Sequence, residues 1–182
     1  EPFLVTDWTV SEDSTTITCD LALNQGITWH DGEPLTMDDV LFTFDYNINV
    51  RKSSYSSYVD HAEQVDEDTI KVVLKEPGAY QWLKLVAGYF YVQPKHIWEN
   101  IDALKDYRGE DAVIGCGPYR FVSLDEDAQT SYYEAVSDTY LGREVTVKKV
   151  SLRSFDSNDA LVMALRNGEI DAMYSYASPI PS

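Results

Sequence analysis

The stretch Ile27-Thr-Trp-His-Asp-Gly-Glu-Pro-Leu-Thr-Met-Asp-Asp-Val-Leu-Phe-Thr-Phe44 decides more about the fold than any other part of the sequence. An apolar run ends at Trp29, and Asp31-Gly32 then supplies a tight turn, because glycine adopts a positive φ without strain. Thr36 and Asp39 form a capping-box pattern, in which a hydroxyl and a carboxylate satisfy backbone amides at the start of a helix. This signature segment therefore predicts a strand end, a turn and a capped helix.

The remaining elements are predicted from the spacing of apolar and turn residues. Val40, Phe44 and Ile48 repeat every four residues, which predicts a helix over residues 37–50. Alternation over residues 16–23 predicts a half-buried strand. Further predicted elements are, in chain order, a loop at 51–60, a strand at 70–74, helices at 79–87 and from Pro94, paired strands at 119–122 and 130–135, a strand at 145–153, a helix at 157–167 and a strand at 170–174. Interspersed strands and helices indicate a mixed α/β fold.

The composition limits the possible partners. The chain has 31 Asp and Glu against 14 Lys and Arg, a net charge of −17, and such a surface repels phosphate backbones, so no nucleic acid is expected as a partner. Hydrophobic residues make up 44% of the sequence, which indicates a globular protein. No apolar run approaches the roughly 20 residues that span a bilayer. The first residues form no basic, hydrophobic leader, so an exported protein would have lost its signal sequence.

No arrangement for catalysis or metal binding stands out. His30, His61 and His96 are isolated from one another in sequence, whereas a metal site needs several ligands at workable spacing. His30 belongs to the predicted turn, so we expect a structural role for it. Cys19 and Cys116 lack a neighbouring His and Asn or Asp that would activate a nucleophile, and a disulfide between them stays open. The sequence predicts no enzyme, no metal and no cofactor, so binding is the remaining function.

Three collinear motifs resemble a known family. The signature segment resembles the W-x-D-G-x-P-x-T-x-x-D-V-x-F pattern of the family 5 extracellular solute-binding proteins, the oligopeptide-, dipeptide- and nickel-type receptors of ABC importers. Gly115-Cys-Gly-Pro-Tyr119 resembles the G-T/N-G-P/A-Y turn of that family, and residues 160–172 resemble its "al..GeiD" helix and strand. Residues 68–74 and 92–96 agree with further family positions. Residues 138–142 resemble its N-x-x-Y-w-g turn. Two residues depart from these patterns, since the family often has Thr where this chain has Cys116 and Asn where it has Asp138.

The resemblance implies a mixed α/β fold of the periplasmic-binding-protein class II type, present in part. It predicts a small inserted α/β subdomain over residues 1–112 and part of a large lobe over 113–182, with the opposite lobe and the N-terminal strands of the family absent. The implied function is to capture an extracellular solute and deliver it to the ABC permease subunits in the membrane. Among the solutes of the family, the resemblance favours a peptide. The protein would be extracellular or periplasmic and tethered as a lipoprotein in its full-length form. We expect this fragment to be monomeric and to bind solute weakly.

The resemblance also selects candidate solute-binding residues. A polar loop after the signature helix resembles one that faces the cleft in peptide-binding members, with Tyr55 as the closest match and Tyr58 as the second. The segment after the "GeiD" strand lines the cleft in the family, which adds Tyr174, Ser175 and Tyr176. Tyrosines suit an extended peptide because they combine flat apolar contact with hydrogen bonding. Alternatively, these tyrosines are ordinary surface or core residues.

Two other functions remain open at this point. One is a stand-alone protein-interaction module that reuses the small subdomain. The other is a nickel- or sugar-type receptor of the same family, since the scaffold motifs above are shared by receptors for different solutes.

Overall fold

The computed structural model describes residues 4–80, 83, 90–101 and 107–174. Its strands and helices alternate along the chain, as the sequence predicts for a mixed α/β fold. The elements are β1 (Val5–Val10), β2 (Thr16–Leu21), α1 (Met37–Asp45), β3 (Val59–Gln64), β4 (Thr69–Leu74), α2 (Lys95–Trp98), β5 (Tyr119–Asp125), β6 (Thr130–Ala135), β7 (Thr139–Tyr140), β8 (Arg143–Glu144), β9 (Lys149–Arg153) and α3 (Asn158–Arg166).

The first part of the chain is a four-stranded antiparallel sheet with the order β1-β2-β4-β3. Alternation places Ile17, Cys19 and Leu21 of β2 on its inner face, opposite Ile70 and Val72 of β4. Helix α1 covers that face, and its apolar residues complete a continuous core. The buried members of this core are Ile17, Cys19, Leu21, Met37, Val40, Phe44, Val59, Ile70, Val72, Leu74 and Ala79.

Helix α1 begins as the signature segment predicts. The capping box between Thr36 and Asp39 is present, and Gly32 has a φ of +100° in the preceding turn. The helix does not continue regularly to residue 50, because residues 46–50 form one wide π-helical turn. Its bond from the Arg51 amide to the Tyr46 carbonyl spans five residues. The predicted extent is therefore correct, but its last turn has a different geometry.

The second part contains a three-stranded antiparallel sheet with the order β5-β6-β9. The predicted pairing of residues 119–122 with 130–135 is confirmed, and β5 extends to Asp125 with an irregularity between Phe121 and Ser123. A small hairpin of β7 and β8 follows β6. Helix α3 begins after Ser157, whose hydroxyl accepts a hydrogen bond from the Ala160 amide.

Several predictions of secondary structure differ from the structure. The loop expected at 51–60 contains a short 3-10 helix, Ser54–Ser57, and ends where β3 begins. The strand expected at 145–153 is formed only over Lys149–Arg153, and the helix from Pro94 is one turn long. Residues 170–174 form no strand, because a strand needs a hydrogen-bonding neighbour and none pairs with them among the described residues. Most of the helix predicted at 79–87 lies outside the described residues.

Candidate functional site

The buried carboxylate of Asp39 accepts hydrogen bonds from several backbone and side-chain groups of the signature segment and from one group outside it. Asp39 is buried, with 4% of its surface exposed. Its Oδ2 accepts hydrogen bonds from the Thr36 amide at 2.9 Å, the Thr36 hydroxyl at 3.0 Å and the Trp29 indole at 3.4 Å. Its Oδ1 accepts one from the Lys95 amide at 2.8 Å. One side chain thus joins the turn, the start of α1 and the start of α2. The capping-box pattern alone does not reveal this link.

A stripe of polar side chains continues along the same face of α1. Thr43 and Asn47 follow Asp39 at intervals of four residues, and both are buried. The Thr43 hydroxyl accepts from the Gln93 amide at 2.9 Å and donates to the Asp39 carbonyl at 2.7 Å. The Asn47 amide group donates to the Thr43 carbonyl at 2.8 Å. Together with Asp39, Thr43 and Asn47 fix the segment that leads into α2 against α1.

His30 connects the signature segment to the glycine turn at 115–117. Its backbone amide donates to the Gly115 carbonyl at 2.9 Å. The ring Nε2 lies 3.0 Å from the Gly117 carbonyl, and the Gly115 amide donates to Nδ1 at 3.4 Å. Because a carbonyl can only accept and an amide N–H can only donate, these contacts require the neutral tautomer with the proton on Nε2. The expected structural role of His30 agrees with these contacts.

Asp31, the next residue, faces α2. His96 Nε2 and Asp31 Oδ2 lie 2.8 Å apart. Partial burial raises the pKa of Asp31, but the hydrogen bonds from His96 and the Glu33 amide and the attraction of His96 outweigh it, so the pKa lies below its ordinary value. The His96 ring also meets the edge of Trp29, with ring centroids 6.5 Å apart. The turn is therefore fixed on both of its sides.

A cavity of about 560 Å³ lies where the two parts of the chain meet. Burial raises the pKa of Cys116, in the adjoining glycine turn, to about 11 and that of Tyr140 to about 12. The Tyr140 hydroxyl donates to the Cys116 carbonyl. Arg120, which also lines the cavity, pairs with Glu134. The lining residues come from three segments: residues 25–30 and 32, residues 117 and 120, and residues 136, 137 and 139–142.

Of the five candidate solute-binding residues, the three that the structure describes lie in two separate parts of the fold. Tyr55 belongs to the 3-10 helix Ser54–Ser57, and Tyr58 directly precedes β3 with 53% of its surface exposed. Tyr174 follows α3 and is 73% exposed, so it is not a core residue in this structure. Ser175 and Tyr176 lie outside the described residues. Neither Tyr58 nor Tyr174 lines the cavity at the junction, and the five residues remain a prediction.

The described residues offer no group of three or more His, Cys, Asp or Glu side chains that could hold a metal ion. Cys19 and Cys116 are both free thiols in the structure. Burial raises the pKa of Cys19 to about 11, with a smaller contribution from Asp20. Since the thiolate is the reactive form of cysteine, both thiols are weak nucleophiles near neutral pH. Within the part of the chain described here, no helix has the length and apolarity that crossing a membrane requires.

Comparison with known proteins identifies the class to which this fold belongs. The family model "Bacterial extracellular solute-binding proteins, family 5 Middle" matches residues 1–182. The chain belongs to this family, as the three sequence motifs predict. One relative is the "Probable peptide-binding protein YejA" of Agrobacterium fabrum, which is 27% identical over 165 residues, 82% of this chain and 26% of the relative.

Two solved structures show how the fold compares. The ABC transporter substrate binding protein CtaP of Listeria monocytogenes is 32% identical, with a TM-score of 0.73, over 93% of this chain and 35% of CtaP. A periplasmic oligopeptide-binding protein of Thermotoga maritima, solved with mannohexaose bound, is 28% identical, with a TM-score of 0.74, over 93% of this chain and 32% of its own. The fold predicted from the family resemblance is confirmed. The chain spans about a quarter to a third of the length of these relatives.

Proposed function

We propose that this chain is part of the solute-capturing receptor of an ABC importer and that its solute is a peptide. The observation that carries the proposal is the family match across residues 1–182. The relative YejA is named a peptide-binding protein, and the Thermotoga maritima protein is named an oligopeptide-binding protein. Bound solute would pass to permease subunits in the membrane, and a lipid anchor on the protein would keep the receptor near them.

In this proposal the candidate tyrosines contact the solute. Tyr58 supports it best, because its side chain is half exposed beside a loop whose backbone is fixed at several points. An exposed aromatic ring can cover apolar parts of a peptide, while its hydroxyl and nearby backbone groups form hydrogen bonds. Tyr55, Tyr174, Ser175 and Tyr176 complete the proposed set. The chain acts by binding and not by catalysis, a proposal supported by its membership of a family of solute-binding proteins.

A sugar receptor is the second candidate function, because the Thermotoga maritima relative was solved with mannohexaose bound. Aromatic side chains also stack on sugar rings, so exposed tyrosines do not separate the two solutes. A nickel receptor has less support, since the described residues contain no group of metal ligands. A stand-alone interaction module is a further alternative.

Isothermal titration calorimetry on the full natural polypeptide would test the proposal with three probes: a pool of short peptides, mannohexaose and a nickel salt with histidine. We expect micromolar or tighter binding of peptides only. Tyr58→Ala should weaken peptide binding about tenfold, the loss of one well-packed aromatic contact. Tyr132→Ala is the matched control, because Tyr132 is similarly exposed, at 41%, but lies on β6 of the other sheet.

Binding of mannohexaose without peptide binding would replace the peptide proposal by the sugar alternative, and no binding of any probe would overturn both. The 182-residue chain by itself should bind peptides at least tenfold more weakly, because it spans only about a quarter to a third of the length of its relatives. Equal affinity of the two polypeptides would contradict this expectation.

A further inference from the structure

The π-helical turn at the end of α1 has a consequence for the loop that carries Tyr55 and Tyr58. In a π-turn the hydrogen bonds span five residues, and such turns occur often at functional sites. The turn ends at Val50, and Lys52 shortly after it has a φ of +51° that redirects the chain. The Asn47 carbonyl is thereby left to accept from Ser53, six residues further on, through the amide at 2.9 Å and the hydroxyl at 3.2 Å.

Asn47 itself is firmly held. It is 2% exposed, and its side-chain amide donates to the Thr43 carbonyl at 2.8 Å and to Gln93 Oε1 at 3.4 Å. Burial and two side-chain hydrogen bonds leave this residue little freedom, so its carbonyl is a fixed point for the start of the loop. The polar stripe of α1 thus extends from the signature segment to the loop.

Lys75, just after β4, fixes the other end of the loop. Its Nζ donates to the Ser56 carbonyl at 2.8 Å, and its backbone amide donates to the Tyr58 carbonyl at 2.9 Å. Val59 follows at once, fully buried and paired with Leu74. The six residues 53–58, called the tyrosine loop below, are therefore hydrogen-bonded to the rest of the fold at their beginning, middle and end.

We propose that Asn47, Ser53 and Lys75 are positioning residues for solute recognition: they hold the tyrosine loop in the conformation that presents Tyr58 to the solute. The inference rests on the proposed function of Tyr58. A loop that is ordered before binding loses less conformational freedom when the solute arrives, and this gain appears as affinity. None of the three residues needs to touch the solute for this effect.

The test combines a local measurement without solute and a peptide titration, both on the full natural polypeptide. Ser53→Ala removes the hydroxyl bond to Asn47, and Ser53→Thr restores a hydroxyl. Lys75→Met removes the bond to Ser56 but keeps most of the side-chain volume. Lys71→Met is its control, because Lys71 lies on β4 and pairs with Glu63 outside the loop. Amide hydrogen exchange is followed at residues 54–58, and affinity is measured with a pool of short peptides.

We expect Ser53→Ala and Lys75→Met to speed amide exchange at residues 54–58 and to weaken peptide binding about threefold to tenfold, the effect of one hydrogen bond. Ser53→Thr and Lys71→Met should leave both readouts near wild type. The unfolding midpoint should change little, which separates positioning from a general loss of stability.

Unchanged exchange in both loop variants would overturn the inference at its structural step. Faster exchange with unchanged affinity, while Tyr58→Ala still weakens binding, would overturn the positioning role and leave the proposed function intact. If Tyr58→Ala also leaves peptide affinity unchanged, or if no peptide binds the wild-type protein, the proposed function fails and the inference fails with it.

Discussion

The two sheets of this chain differ in what covers them. The inner face of the four-stranded sheet lies under α1, and eleven buried residues form one continuous core there. Within β5, β6 and β9, by contrast, only Thr130 is buried. Leu124 and Leu152, which share one face of the second sheet through Ser131, are 55% and 58% exposed. Burial of apolar surface, the main stabilising contribution in folding, is thus concentrated in the first part.

This difference indicates that the first part has a core of its own and that the second sheet depends on its contacts with the first part. The first part builds its own core and uses buried polar groups, Asp39 above all, to fix the signature segment. The second sheet relies on its hydrogen-bonded strands and on its junction with the first part, where His30 contacts the glycine turn. Substitutions of the same kind should therefore have unequal effects in the two parts.

The largest effect is expected from matched leucine substitutions. Leu74→Ala removes a side chain that is 6% exposed in the first core and should lower the free energy of unfolding by about 3 kcal/mol, because it leaves a cavity. Leu152→Ala in the second sheet should change it by less than about 0.5 kcal/mol. Urea denaturation followed by circular dichroism measures both. Equal losses would show that the second sheet has a core of its own.

The next effect concerns two adjacent aspartates at the start of α1. Asp39→Asn keeps the shape but turns an acceptor into a donor facing amide and indole N–H groups, so it should cost about 2 kcal/mol of unfolding free energy. Asp38→Asn is the control: Asp38 pairs with the Lys95 side chain at the surface and is itself 72% exposed, so no measurable change is expected. The difference would disappear if the bonds to Asp39 were not formed in solution.

Part of this arrangement could be predicted from the sequence and part could not. The cap and turn of the signature segment, the β5–β6 hairpin and the position of α3 are local, so residue types and spacing were sufficient. Strands β1 and β3 were not predicted, because they are edge strands with mostly exposed residues and weak alternation. The prediction of a strand at 170–174 was wrong, because a strand forms only where a partner strand is available, and a local apolar pattern does not indicate the partner. Asp39, Thr43 and Asn47 share a four-residue spacing, a signal that could have revealed the polar stripe.

His30 and Gly117, which are in contact, are 87 residues apart in sequence, and no local pattern indicates their contact. His30→Ala removes both ring hydrogen bonds and should lower the unfolding free energy by about 1 kcal/mol. Its more specific effect should be faster amide exchange in β5 and β6 with unchanged exchange in β2 and β4, because the second sheet depends on the junction. His61→Ala, at an exposed pair with Asp60, is the control. Uniform acceleration in both sheets would contradict the proposed dependence.

The smallest effect is a pH dependence that compares one ion pair from each part. Hydrogen bonding and charge attraction lower the pKa of Asp31 beside His96 and of Asp138 beside Lys148. A carboxyl group whose pKa is lowered by folding stabilises the protein at a pH above its unfolded pKa, near 4. It loses that contribution as the pH falls through its folded pKa. The difference in stability between wild type and Asp31→Asn should therefore be present at pH 6 and shrink towards pH 3.

The two aspartates should differ in how salt affects this contribution. The Asp31 side chain is only 26% exposed, whereas Asp138 is 93% exposed, and exposed charges are screened by salt. At about 0.5 M NaCl the pH-dependent difference should persist for Asp31→Asn and vanish for Asp138→Asn, measured by thermal unfolding. Equal salt sensitivity of the two variants would mean that the signature turn is as open to solvent as the second sheet.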